Sequence, residues 1–254
     1  MKDTGVQVIG LSNIPLISKG DDLGKIICDA ADRQGTPLED GDIVVITQKI
    51  VSKAEGRVYK LSSIQPSPLA KKIARRSRKS PELIELILRD AQSLVRLHNG
   101  HIITETRQGW VCANAGVDVS NVSGGDSAAL LPLDPDESAE YVRKRIMELL
   151  EVNIAVIISD TFGRPFRLGH TDVGIGSSGI QPLFDMRGQQ DLFGYVLRVK
   201  QTAIIDELAS AAELVIGNAD EKIPVAIIRG YRYPRSESHK ATDLVMPRER
   251  NLFL

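Results

Sequence analysis

Three short segments of the chain carry polar side chains of the types that bind phosphate, carboxylate or a divalent cation. The first, residues 47–57, has Lys49 and Lys53 four positions apart, together with the amide of Gln48. Ammonium groups supply point charges, and hydroxyl and amide groups supply hydrogen bonds, both suited to phosphate oxygens. The segment follows an aliphatic run, where ligand-binding loops commonly lie. The alternative is a solvated turn with surface lysines, which composition alone favours.

The second segment, residues 112–121, is rich in small side chains and contains one carboxylate, Asp118. Small residues let the backbone and this carboxylate approach a ligand or a metal closely. The alternative is a tight turn in which Asn114 and Asp118 hydrogen-bond to their own backbone. The sequence supports the two interpretations about equally.

The third segment, residues 159–167, begins where a strongly aliphatic run ends. Asp160 and the hydroxyl of Thr161 form a set of hard oxygen ligands that suits Mg²⁺. Arg164 and Arg167 follow at three-residue spacing, which suits phosphate or carboxylate recognition. The alternative is that Asp160 only caps the next segment. Because that alternative leaves the two arginines unexplained, the pattern favours a functional site.

Three other segments are open to more than one interpretation. Arg187 could bind an anion or form a salt bridge with Asp185 or Asp191. Residues 217–224 could form an acidic ligand loop or a plain polar connection, and their composition slightly favours the connection. Residues 174–179 fit the pattern GxGxxG, but a dinucleotide site needs a helix next, and a proline soon follows. We therefore predict a flexible loop with close backbone approach there.

Hydrophobic patterning predicts the elements that position these segments. Strands are predicted at 6–11, 43–47, 154–160 and 224–230, a hairpin pair at 101–104 and 110–113, and a strand-like stretch at 195–199. Helices are predicted from Asp21–Asp22 to about residue 33, from Ser67–Pro68 through the basic residues 71–79, from Ser80–Pro81, from Asp134–Pro135 to about residue 150, and over 207–215. Hairpins mixed with crossovers indicate an α+β or mixed α/β fold. We expect one continuous unit over residues 1–254, since a division near residue 130 has little support.

The overall composition excludes several classes of protein. The 254 residues include 32 basic and 33 acidic side chains, and the net charge of −1 argues against general nucleic-acid or membrane binding. No run of about 20 apolar residues is present, so no membrane-spanning helix is expected. Cys28 and Cys112 are too few for a disulfide framework and too far apart for a CxxC metal pair, which indicates a reducing, cytoplasmic compartment. The four histidines include no HExxH pair, the signature of many zinc hydrolases.

Taken together, the segments resemble the coenzyme F420-0 gamma-glutamyl ligase family. The matching runs lie in the family's order and span nearly the whole chain, and KIVSKAEG and CANAGVD are the specific ones. The runs are IPLI (14–17), TQKIVSKAEGR (47–57), VCANAGVDVSN (111–121), SDTFGRPFR (159–167), GHTDVGIG (169–176), PLFDMRG (182–188), DELASAAELVIG (206–217) and IPVAIIRG (223–230).

The resemblance implies an α+β fold with mixed sheets, flanking helices and intertwined subdomains, assembled as a homodimer. It implies GTP-dependent ligation of L-glutamate to F420-0, then γ-linked extension of the glutamate tail, with release of GDP and phosphate. The expected cofactors are GTP as co-substrate and two ions of Mg²⁺ or Mn²⁺, with K⁺ as a further candidate. The expected partners are F420-0, L-glutamate, GTP and a second copy of the chain, with no nucleic acid and no membrane. Some relatives carry an additional nitroreductase-like domain, which we do not expect in residues 1–254.

The resemblance also implies roles for individual residues. Nucleotide contacts are expected at Ile14, Pro15, Leu16, Ile17, Gln48, Lys49, Lys53, Asn121, Ile216, Gly217, Asn218, Ala219, Asp220, Glu221, Lys222 and Ile223. One metal is expected on Asp118 and Asp160, and a second beside Thr161 and Asn218. Some relatives have glutamate where this chain has Asn218; an amide oxygen can bind Mg²⁺ with less charge, and Asp220 or Glu221 could compensate.

The chemistry assigned to these residues is carboxylate activation. We hypothesise that GTP phosphorylates the substrate carboxylate and that the amine of glutamate then attacks the acyl phosphate. Asp118, Asp160 and Lys53 are the expected catalytic residues, and Arg164, Arg167 and Arg187 are expected to bind the anionic substrate. Two alternatives remain, a metal-dependent phosphohydrolase and a non-catalytic protein that binds F420 or a nucleotide.

Overall fold

The computed structural model describes residues 5–122 and 125–251 and confirms the mixed α+β class. The strands are β1 (Gln7–Gly10), β2 (Ile43–Thr47), β3 (Val58–Lys60), β4 (Ala91–His98), β5 (His101–Thr106), β6 (Val111–Ala113), β7 (Ser127–Ala129), β8 (Ala155–Gly163), β9 (His170–Ser178), β10 (Leu183–Asp185), β11 (Gln201–Ala203) and β12 (Val225–Arg229). The α-helices are α1 (Leu23–Gln34), α2 (Gln48–Ala54), α3 (Pro68–Ala74), α4 (Pro81–Asp90), α5 (Pro135–Leu150) and α6 (Ile204–Ile216).

A five-stranded sheet in the order β1-β12-β2-β8-β9 forms the main framework. Strands β2 and β8 run parallel, and the other neighbours run antiparallel. Successive residues of β2 point to opposite faces, so Val44 and Ile46 enter one core cluster and Ile43 and Val45 enter another. The first cluster includes residues of α1, α2 and α5, and the second includes residues of α6.

A second group of elements packs around its own core. It contains the sheet β4-β5-β6, the pair β3-β7 and the helices α3 and α4. Its core joins Ile84 and Ile87 of α4 to Ala115 and Val117, which lie just before Asp118. The second polar segment is therefore held by packing against α4.

Polar caps fix the starts of three helices whose starts the sequence predicted at these residues. The side chain of Asp22 accepts a hydrogen bond from the N–H of Lys25 at 3.0 Å. Ser80 caps α4 and Asp134 caps α5 in the same way, and each is followed by proline at the first helical positions. Within residues 5–122 and 125–251, no helix is long and apolar enough to cross a membrane.

Several local predictions were wrong. Helix α3 ends at Ala74, so most of the basic residues 71–79 lie beyond it. Residues 195–199 form no strand; an isolated bridge joins Gln190 and Val196 instead. Residues 91–98 form strand β4, which was not predicted from the sequence.

The glycine-rich residues 174–179 lie almost entirely in β9 and do not form the predicted loop. The predicted close approach of the backbone is nevertheless present. A Cβ on Gly176 would lie 2.3 Å from the carbonyl oxygen of Pro135, and one on Gly174 would lie 2.8 Å from Ile205. These glycines therefore let α5 and α6 pack directly against the strand.

Candidate active site

Helix α2 directs both lysines of the first segment toward the second segment. Lys49 Nζ lies 2.9 Å from Asp118 Oδ2 and 3.0 Å from Ser120 Oγ. Lys53 Nζ donates to the backbone carbonyl of Asn121 at 2.8 Å. Residues four apart share one face of a helix, which explains why both amines reach the same turn. Residues 48–54 are thus a helix, not the loop or turn considered from the sequence.

The amide of Gln48 is buried at the start of α2. Its Oε1 accepts a hydrogen bond from Ser52 Oγ at 2.9 Å. Within the described part of the chain, its Nε2 has no hydrogen-bond partner. A buried amide N–H group without a partner is a candidate donor to a ligand oxygen.

The second segment reaches Asp118 through an unusual turn. Asn114, Ala115 and Gly116 all have positive φ angles, 57°, 55° and 70°. Consecutive positive φ angles are rare for residues other than glycine. The hydrogen bond from Ala115 N to Thr104 Oγ1, at 2.8 Å, holds the turn in this conformation. Beyond the turn, Asp118 pairs in a β-bridge with Ala129. The turn therefore fixes the backbone that carries the carboxylate.

Both interpretations of Asp118 have a counterpart in the structure. Its Oδ1 accepts the backbone N–H of Ser120 at 2.8 Å, which is the local hydrogen bond expected of a turn. Its Oδ2 pairs with Lys49 across 69 positions of sequence. Burial tends to raise the pKa of Asp118, but hydrogen bonds from Lys49 and Ser120 outweigh it and lower the pKa. Burial and the nearby Lys49 lower the pKa of Lys53.

Asp160 lies within β8, which continues to Gly163, so the prediction that it ends a strand was wrong. Burial, together with the charges of Asp172 and Asp118, raises the pKa of Asp160 to about 8. A carboxyl group in such surroundings ionises more readily when a cation is bound nearby. The placement of Asp160 is therefore suited to a metal ligand.

The loop after α6 closes the other side of the cluster. Asn121 Nδ2 donates to the carbonyl of Ala219 at 3.0 Å, and Thr161 Oγ1 lies 3.2 Å from Asn218 Oδ1. Gly217 ends α6 with a φ of 69°, which favours glycine. Four chain segments that are distant in sequence thus meet at one place.

The remaining residues of this loop have other surroundings. Ile216 is buried with α6, and Ile223 lies against Gly10. Glu221 accepts the N–H of Ala219 at 2.8 Å, whereas Asp220 and Lys222 are exposed. Neither Asp220 nor Glu221 forms a hydrogen bond with Thr161 among the described residues.

One predicted binding segment, residues 14–17, and three predicted binding arginines lie apart from this network. Within residues 5–122 and 125–251, no hydrogen bond links residues 14–17 to it; Ile17 packs in the core beside α2, and Leu16 is 93% exposed. Arg164 donates to the carbonyl of Leu168, and Arg167 is exposed. Arg187 forms an ion pair with Asp185, as the alternative for that residue predicted.

Two carboxylates of the cluster were missed by the sequence analysis. Asp172 is only 3% exposed and accepts hydrogen bonds from Ser159 Oγ at 3.0 Å and Thr161 Oγ1 at 2.7 Å. Glu213 accepts the backbone N–H of Asp172 at 3.1 Å and a hydrogen bond from Asn218 Nδ2. Asp172 could have been found from the sequence, because it lies two residues before Gly174 in a run where polar or small residues alternate with apolar ones. No local signal marks Glu213, which reaches the cluster through the packing of α6 on β9.

The oxygen donors of this site are of the chemical type that binds a hard divalent cation, although the described residues form no tight group of carboxylates. Among the residues described, no group of three or more His, Cys, Asp or Glu side chains is placed as a ready metal site. The oxygens of Asp118, Asp160, Thr161 and Asn218 are of the types that Mg²⁺ binds with part of its water shell retained. Cys112, by contrast, is buried, and burial raises the pKa of its thiol to about 12, which agrees with a packing role.

A separate cavity lies on another face of α2. It has a volume of about 540 Å³ and is lined by residues of α1, α2 and α5, among them Val51, Ala54 and Tyr141. None of the cluster's carboxylates, amides or lysines lines it. The chemistry-bearing groups therefore identify the cluster, not this cavity, as the candidate active site.

Comparison with known proteins places the chain in a family. Residues 12–230 match the family described as F420-0:Gamma-glutamyl ligase. The chain is 46% identical to the coenzyme F420:L-glutamate ligase of Methanothermobacter thermautotrophicus over 98% of this chain and 99% of that protein. It is 46% identical to the protein of the same name from Methanopyrus kandleri, with the same coverage, and 45% identical to that of Methanocaldococcus jannaschii over 98% and 96%. The chain therefore belongs to the F420-0:gamma-glutamyl ligase family.

Proposed function

We propose that this protein ligates L-glutamate to coenzyme F420-0 in a GTP-dependent reaction and then extends the tail through γ linkages. The observation that carries the proposal is the convergence of Lys49, Lys53, Asp118, Asp160 and Thr161 at one place. The family membership and the names of the relatives support the choice of substrates.

The proposed reaction has two steps. In the first, a carboxylate oxygen of F420-0 forms a bond to the γ-phosphorus of GTP, the bond from that phosphorus to the bridging oxygen breaks, and GDP leaves. In the second, the amine of L-glutamate attacks the acyl carbon, phosphate leaves, and the amine loses its proton. The product is an amide, and the acyl phosphate is the intermediate that links the two steps.

The chain's own residues would reduce the repulsion between two anionic reactants. Lys49 and Lys53 project from one face of α2, so their charges lie where a triphosphate would meet the turn 118–121. Gln48 Nε2, which is buried and has no partner among the described residues, would donate to a phosphate or base oxygen of the bound nucleotide. Divalent ions, Mg²⁺ or Mn²⁺, would supply Lewis-acid stabilisation of the transferring group when bound by Asp118, Asp160, Thr161 and Asn218.

The remaining assignments belong to the same proposal. Residues 14–17 and 216–223 would contact the nucleotide, and Arg164, Arg167 and Arg187 would bind the anionic substrate. For Arg187 to do so, its ion pair with Asp185 must open. We further propose a homodimer in the cytoplasm, with K⁺ as an additional ion.

One incubation tests the proposal against its rivals. The protein is mixed with F420-0, GTP, Mg²⁺ and L-glutamate, and the products are read by mass spectrometry. A glutamyl mass increment that requires GTP supports ligation. Phosphate release without the increment would identify a phosphohydrolase, and retention of ligand without GDP formation would identify a binding protein.

A further inference from the structure

Thr161 and Asn218 turn oxygen atoms toward each other at the edge of the candidate active site. Thr161 Oγ1 lies 3.2 Å from Asn218 Oδ1 and 2.7 Å from Asp172 Oδ1. A hydroxyl group has one proton, and the shorter contact, to a charged acceptor, takes it. Thr161 and Asn218 therefore face each other with lone pairs. A cation between the two oxygens would stabilise this arrangement.

Glu213 sets the direction of the Asn218 amide. Asn218 Nδ2 donates to Glu213 Oε1, while Glu213 Oε2 accepts the backbone N–H of Asp172 at 3.1 Å. The reversed amide would place its oxygen against the Glu213 carboxylate, which has no proton to donate. The hydrogen bond to Glu213 thus keeps Asn218 Oδ1 directed at Thr161.

Asp172 and Glu213 also bring two negative charges to this spot. In the part of the chain that the structure describes, neither carboxylate forms an ion pair; their partners are hydroxyl, amide and backbone groups. Asp172 is nearly buried, so solvent screens this charge poorly. A divalent cation beside Thr161 would offset both charges.

We propose that Glu213 is a positioning residue for the cation expected beside Thr161. It acts through Asn218, whose amide oxygen it directs toward the cation, and it adds negative charge that a neutral amide ligand lacks. This inference rests on the proposed function, because that function implies the cation. A neutral Gln at position 213 would instead donate to Asn218 Oδ1 and turn the Asn218 NH₂ group toward Thr161.

The test measures Mn²⁺ binding to the full chain, without nucleotide or substrate, by electron paramagnetic resonance and calorimetry. Loss of a group that orients a metal ligand typically weakens binding about 10–100-fold. We expect Glu213→Gln to weaken one class of Mn²⁺ sites by at least about 10-fold. Glu207→Gln is the matched control, since Glu207 lies on α6 with the same charge but is exposed. Its Mn²⁺ affinity should match that of the wild type.

A second substitution separates positioning from a structural role. Asn218→Asp in the Glu213→Gln background supplies a carboxylate that needs no orienting partner, so Mn²⁺ affinity should return. Unchanged Mn²⁺ affinity in Glu213→Gln, or no recovery in the folded double variant, would overturn the inference. If the variants give either of these results while the wild type still ligates glutamate, the proposed function stands and only this inference fails. Absence of ligation by the wild type would instead remove the proposed function.

Discussion

Replacing Gly176 with alanine should destabilise the protein by driving α5 away from β9. Gly176 pairs with Ile158 in the β8–β9 ladder, and a side chain added there would meet Pro135, the first residue of α5. A Cβ there would lie 2.3 Å from the carbonyl oxygen of Pro135. Ordinary contact begins near 3.4 Å, so the backbone of α5 must shift by roughly 1 Å.

The cost follows from the stiffness of a packed core. Overpacking typically costs 1–3 kcal/mol, and because the clash is with backbone, not with a flexible side chain, we expect ~3 kcal/mol. For a chain of this size, that lowers the melting temperature by roughly 6–12 °C. Differential scanning calorimetry and urea unfolding measure both quantities.

Gly163→Ala is the matched control for this prediction. Gly163 lies at the end of β8, its φ is not in the left-handed region, and the nearest atom to an added Cβ is 3.9 Å away, on His170. The free energy of unfolding of the Gly163→Ala variant should stay within about 0.5 kcal/mol of the wild-type value. Equal stability of the Gly176→Ala and Gly163→Ala variants would refute the claim that α5 and β9 are in backbone contact.

Three further outcomes are expected. Asp136→Ala should lower the free energy of unfolding in urea by about 3 kcal/mol. The buried Asp136 carboxylate accepts the N–H groups of Ser177 and Ala241, each at 2.8 Å, and removing the carboxylate leaves both N–H groups without this acceptor. A change below about 0.5 kcal/mol would contradict this. In metal-free protein, the pKa of Asp160 is raised from 3.8 to about 8, so the folded state holds its proton more tightly and the free energy of unfolding falls as pH rises from about 4 through about 8. Asp160→Asn should remove that part of the fall, and an identical pH profile of the two proteins would be the contrary result. Lys49→Met should leave the fold intact but slow ligation by ~100-fold, measured as kcat by product mass, since one cation facing the developing charge is lost; near-normal kcat would show that Lys49 does not face the reacting groups.

The sequence predicted elements whose signals are local. Asp22, Ser80 and Asp134 marked the starts of predicted helices, because capping depends only on a side chain and the N–H three residues later. The aliphatic runs of β2 and β12 were identified because central strands need apolar side chains on both faces. These features depend on residues that are close together in the sequence, so distant parts of the chain do not change them.

Features that depend on distant contacts were the ones missed or misassigned. Residues 48–54 contain two lysines that looked like a solvated turn, yet they form a helix because Ile50 and Val51 enter the core. Gly174 and Gly176 looked like a loop, but glycine is needed there for helices that arrive from elsewhere in the chain. Glu213 joins the candidate active site only when α6 packs on β9, so no motif around it could reveal the role.

The most direct test of the proposed reaction follows one oxygen atom. F420-0 labelled with ¹⁸O in the reacting carboxylate is incubated with the protein, GTP, L-glutamate and Mg²⁺, and the released phosphate is examined by mass spectrometry. Activation as an acyl phosphate predicts that each phosphate carries one ¹⁸O atom and that phosphate and glutamyl product form in equal amounts. Unlabelled phosphate, or labelled phosphate released in excess of the glutamyl product, would contradict the account.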